Sequence, residues 1–106
     1  MRAIVFLMLA ACGTEHCPTY QDVQPIIARS CLGCHSVEVR GANRQGAPRE
    51  ADYDTFAETK EAIDVIVTRV SMSGGARMPP ATSNADKVSS SQVQTLAAWK
   101  SCGAPE

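Results

Sequence analysis

Cys31-Leu32-Gly33-Cys34-His35 holds the densest group of reactive side chains in this 106-residue sequence. Two thiols two residues apart, followed at once by an imidazole, form the pattern of c-type haem attachment. The spacing suits the chemistry. The thiols can add to the two vinyl groups of one haem, and the next residue is then held beneath the ring, where its imidazole can ligate iron. Gly33 is expected to allow a tight backbone between the two thioethers. Other uses of these residues fit less well. A closed zinc site needs four ligands, commonly from a second CxxC or HxxxH pair, and the remaining His16, Cys17 and Cys102 are scattered. A thioredoxin-like dithiol would sit beside a βαβ pattern, and no strand–helix alternation stands out. A plain disulfide leaves His35 without a role.

An imidazole fills one axial position of a haem iron. The other is closed by a distal residue or left open to exogenous ligands. Met78, Met72 and His16 are the candidates. Met78 lies in Gly74-Gly75-Ala76-Arg77-Met78-Pro79-Pro80, which reads as a loop. Its prolines remove donors and stiffen φ, which can hold a thioether in place. Met72 ends a helical pattern, and its alternative role is packing.

In order and content these residues resemble a monohaem class I cytochrome c, in particular the small bacterial domains with a Met-Pro-Pro loop. The matching order is a first helix containing Asp22-Val23-Gln24-Pro25-Ile26, then CLGCH, an apolar helix, Met78-Pro79-Pro80 and a last helix carrying Trp99. The resemblance covers most of Tyr20–Gly103 and is specific at CLGCH. It implies an all-α, cytochrome c-like fold of three to four helices around one covalent haem c. It also implies Cys31 and Cys34 as attachment points, and His35 and Met78 as axial ligands. In that fold the terminal helices pack together, which would bring Cys17 and Cys102 within bonding reach. The alternative is two separate thiols.

The elements needed to position these groups are legible in part. Thr19-Tyr20-Gln21-Asp22 has the form of a capping box, and Val23, Ile26, Ile27 and Ser30 share a helical face. This predicts a helix within Tyr20–Ser30. Pro25 leaves a second start open, with Asp22 as the cap and the proline in the first turn. Val37–Asp52 shows no sustained period and reads as a solvated loop. Its Arg40, Arg44 and Arg49 offer, at most, an electrostatic docking patch. Ala62, Ile63, Ile66, Val67 and Val70 form an amphipathic stripe, either a pocket wall or plain core, and Ser73-Gly74-Gly75 ends that helix. Ser89-Ser90-Ser91-Gln92 repeats the capping pattern. Val93, Leu96, Ala97, Trp99 and Lys100 follow, until Gly103 and Pro105 stop the helix.

The first eleven residues read as an export signal: Arg2, then a nine-residue apolar run, too short for the about 20 residues of a helical span. Leu9-Ala10-Ala11-Cys12 resembles the lipobox of bacterial lipoproteins, in which the cysteine is lipidated and becomes the mature N-terminus. The expected organisation is a signal peptide at 1–11, a lipid-anchored tether at 12–18 and a cytochrome c domain at 19–106. The protein would sit on the periplasmic side of a bacterial membrane. Cys12 and Cys17 are separated by five steps, at most about 18 Å of extended chain, so the domain would ride close to the lipid.

Composition narrows the function. Ten basic and eleven acidic residues give a formal charge of −1, without the basic excess of a nucleic-acid binder. A domain this small commonly needs a cofactor or disulfide as a staple. The function that the cytochrome c resemblance implies is electron transfer, with redox proteins as partners, a monomeric state and no bond-making catalysis. Two alternatives remain: a haem ligand-binding or sensor module with an open sixth position, and a structural zinc module. A peroxidase-like site ranks last, because no distal acid–base residue other than His16 is assignable.

Overall fold

The computed structural model describes residues 16–106. The export signal expected at 1–11 and the lipidation expected at Cys12 fall outside the described residues. Three α-helices, α1 (Tyr20–Ser30), α2 (Phe56–Ser71) and α3 (Ser90–Ser101), and a short 3-10 turn (Gly41–Arg44) account for the regular structure, and no strand occurs among the described residues. The fold is all-α.

Each helix starts where a side chain can satisfy orphan N–H groups. Thr19 is the N-cap of α1, and its backbone N–H donates to the Asp22 carboxylate at 2.8 Å. The start at Asp22 is thereby excluded. Pro25 lies inside the helix, where the bond to the Gln21 carbonyl is given up. Ser89 caps α3, accepting from the Gln92 N–H while its own N–H donates to the Gln92 side chain. Thr55 and Glu58 make the same reciprocal pair at α2. That box, Thr55-Phe56-Ala57-Glu58, was open to reading from the T-x-x-E spacing alone.

The core joins Val23, Ile26 and Ile27 of α1, Ile63, Ile66 and Val70 of α2, and Leu96 and Trp99 of α3, with Tyr53, Val88 and Ala104 from the connections. The third helix is central: both α1 and α2 pack against it. Its apolar residues therefore do not form one clean stripe, because two partners cover two sides. Trp99 is fully buried and donates its indole N–H to the Pro105 carbonyl at 2.7 Å. The Tyr20 N–H reaches the same carbonyl at 3.1 Å. Gly103 turns the chain back at φ 84°, a left-handed conformation that favours glycine.

Cys17 and Cys102 form a disulfide, with their Cα atoms 5.8 Å apart. The bridge ties the approach to α1 to the end of α3. It closes a sequence separation of 85 residues, worth about 4–5 kcal/mol in the chain-entropy treatment.

Candidate functional site

A cleft of about 270 Å³ opens between the segment after α1 and the outer face of α2. Cys31, Cys34, His35, Ala51 and Tyr53 line it from the chain between α1 and α2, and Ile66, Arg69, Val70, Met78, Pro79 and Pro80 from α2 and the loop after it. Val65 also lines it and remains 56% exposed, so the cleft is open to solvent along α2. The apolar stripe of α2 serves two purposes: Ile63 faces the core alone, while Ile66 and Val70 serve both core and cleft.

Residues 31–35 wind into a turn directly off the end of α1. The Cys31 N–H donates to the Ile27 carbonyl at 2.9 Å, and the N–H groups of Cys34 and His35 both reach the Cys31 carbonyl, at 3.1 and 2.9 Å. This winding puts both thiols and the imidazole on the cleft. Gly33 is not what permits it. Its φ lies outside the left-handed region, and an added Cβ would meet open space.

Burial, and the neighbouring Cys34, push the Cys31 thiol up to about 11 from an ordinary 9.0. Cys31 therefore stays a thiol at neutral pH.

His35 is held on three sides. Its Nδ1 lies 2.6 Å from the Ala51 carbonyl oxygen. A carbonyl only accepts, so Nδ1 carries a proton, and in the neutral imidazole Nε2 keeps the lone pair. Tyr53 stacks on the ring at 4.7 Å between centroids, and the Tyr53 N–H donates to the His35 carbonyl at 2.9 Å. Burial and the adjacent Cys31 raise the Tyr53 phenol above its usual pKa.

The loop that delivers Ala51 is largely solvent-exposed, as its composition suggests, with one buried exception. Arg44 is 6% exposed and is no part of a docking patch. Its guanidinium donates to the carbonyls of Ser36, Val39, Ala47 and Pro48 and to the Asp52 carboxylate. The reason is local: the chain turns around this side chain, and its inward carbonyls need donors. Composition cannot show this, since the partners are backbone groups.

Met78 arrives from the other direction. Its N–H donates to the Arg69 carbonyl at 3.1 Å, and the Arg69 guanidinium reaches the Ala76 carbonyl at 3.4 Å. The loop is thus clipped to the last turn of α2. Met72 caps that helix, is 37% exposed and does not line the cleft. His16 is exposed and also lies off the cleft.

The donor set fits a haem: two thiols and an imidazole from one segment, a thioether from another, and apolar side chains around them. It does not fit a closed zinc site. Cys17 and Cys102 are consumed by their own bond. Among the described residues no group of three or more His, Cys, Asp or Glu side chains is arranged to hold a metal ion.

No family model, curated protein or solved structure matches the chain.

Proposed function

We propose that this protein is an electron carrier with one covalently attached haem c, ligated by His35 and Met78. The observation that supports it most is convergence. Met78 stands 43 positions after His35 in the sequence, yet both line the same apolar cleft as Cys31 and Cys34. The packing of α1 against α3 is compatible with a cytochrome c-like fold.

Cys31 and Cys34 would hold the group through thioether bonds, and His35 and Met78 would ligate its iron. When bound, haem supplies a one-electron ferric–ferrous couple. The rest falls to the chain. Ala51, by accepting the Nδ1 proton, makes His35 a stronger donor and fixes its tautomer. Met78, as a thioether ligand, would favour the ferrous state and raise the potential. Ile66, Val70, Pro79 and Pro80 would offer the group apolar surface. No residue is required to make or break substrate bonds. Export and a lipid on Cys12 would confine the monomer to a membrane surface, where other redox proteins would be its partners.

Two measurements test this. A mass spectrum of the protein exported from a host with haem-attachment machinery should show the chain plus one haem; the bare chain mass would sink the reading. The reduced protein should then resist carbon monoxide. Rapid, tight binding would instead make it a ligand-binding module with an open sixth position.

A further inference from the structure

We propose that Arg44 is the positioning residue for His35. The structural content of this proposal rests on hydrogen-bond geometry. Its consequence for the iron rests on the reading of His35 as a ligand.

Every N–H of the guanidinium is used. Nη1 donates to the Ser36 carbonyl at 2.7 Å and the Val39 carbonyl at 3.1 Å. Nη2 donates to the Pro48 carbonyl at 2.7 Å and to Asp52 at 2.6 Å, and Nε donates to the Ala47 carbonyl at 3.2 Å. Two of these partners give the arrangement its meaning. Ser36 directly follows His35, and Asp52 directly follows Ala51, whose carbonyl receives the His35 proton. One planar side chain thus spans the two strands of chain that must stay in register for that hydrogen bond to persist.

A second route leads to the same carbonyl. The Pro48 oxygen that accepts from Nη2 also accepts from the Ala51 N–H at 3.0 Å. The position of Ala51 is therefore set from both sides of its peptide. Two further ties run in parallel, from Ser36 Oγ to Asp54 at 2.6 Å and from the Tyr53 N–H to the His35 carbonyl. They join the same pair of segments without touching the imidazole ring. Arg44 is suited to this task because its donors are fixed in a plane. A lysine has three donors on a flexible stem and cannot reach five acceptors at once.

The test uses the full chain as purified, with Arg44→Lys and with Leu96→Ala as a control that weakens α3 away from the cleft. In the unsubstituted protein the His35 Nδ1–H should exchange slowly with solvent by NMR. In Arg44→Lys it should exchange about tenfold faster or more, the scale of one or two lost hydrogen bonds. The midpoint potential should rise, because a ring that no longer donates to Ala51 is a weaker donor to ferric iron. Leu96→Ala should move neither.

Fast exchange in the unsubstituted protein would overturn the proposal. So would a folded Arg44→Lys with both readouts unchanged, or equal shifts in Leu96→Ala. If Arg44→Lys does not fold, Asp52→Asn keeps the side-chain shape and removes only the charge; it should shift both readouts the same way by less, and no shift would count against Arg44. Absence of haem would remove the potential and the functional reading with it. The exchange rates would still decide whether Arg44 positions the ring.

Discussion

On the His35 side of the cleft, buried polar groups hold the chain in place; on the Met78 side, proline rings and a few backbone contacts do. Arg44 and Asp52 form a buried ion pair with side chains 7% and 13% exposed, surrounded by accepting carbonyls. Arg69, the corresponding cation of the Met78 side, is exposed and makes one long contact to Ala76. The difference matters because buried polar networks have few alternative arrangements. A loop clipped by backbone bonds at its base can move without leaving a buried charge unpaired. The histidine side is thus held by a buried polar network, and the methionine side by fewer and more exposed contacts.

The largest expected effect separates chemistry from stability. Met78→Ala should convert a carbon monoxide-resistant ferrous protein into one that binds it readily. In the haem-free chain its unfolding free energy should change by no more than about 1 kcal/mol, since Met78 is only half-buried. Met72→Ala should change neither quantity. Carbon monoxide binding that follows Met72 would reverse the assignment.

Stability should show the opposite asymmetry. Arg44→Met strands Asp52 and four carbonyls, and should cost about 3–5 kcal/mol in urea unfolding. Arg69→Met on the other wall should cost under about 1 kcal/mol, as expected for an exposed cation. Equal losses would erase the distinction between the walls.

Part of this contrast could be read before any geometry. CxxCH is legible because its chemistry is local: five consecutive residues contain all of it. The helices are legible where a cap and an apolar stripe agree, as at Thr19 with Val23, Ile26 and Ile27. The buried role of Arg44 is not, because its partners are mostly carbonyls, which every residue carries. A loop rich in glycine and charge looks solvated whether or not one arginine has turned inward. Met78 and Met72 are alike in type and close in sequence. What separates them is the end of α2, which leaves one on the cleft and the other in solvent. Pairing of Cys17 with Cys102 likewise depends on how α1 meets α3, a long-range fact that their positions alone do not contain.

The thiols give a smaller, pH-dependent contrast within the histidine wall. In the haem-free chain, Cys34 should alkylate before Cys31, whose thiol is raised by burial and by Cys34 to about 11. The sign for stability follows from which state holds the proton. Below pH 9 both folded and unfolded chains keep the Cys31 proton, and its contribution is fully present. Between 9 and about 11 the unfolded chain releases it first, so stability falls as pH rises. The loss should approach about 2–3 kcal/mol at the upper end. Cys31→Ser should flatten that slope, while Met78→Ala should leave it intact.

The smallest effect lies at the junction of the two walls. Thr59 is fully buried, and its hydroxyl donates to the Thr55 carbonyl at 2.9 Å and the Tyr53 carbonyl at 3.3 Å. It therefore fastens the start of α2, which carries the methionine wall, to the residue that stacks on His35. Thr59→Val nearly preserves shape and removes only the donor, so the cost should be about 1–2 kcal/mol. The loss should appear first as faster exchange of the Tyr53 N–H, the bond to the His35 carbonyl. The Met78 N–H is held at the far end of α2, beyond the reach of this hydroxyl, and should keep its protection. If both amides loosen together, the two walls are one cooperative unit, and the contrast between them ends at the level of hydrogen bonding.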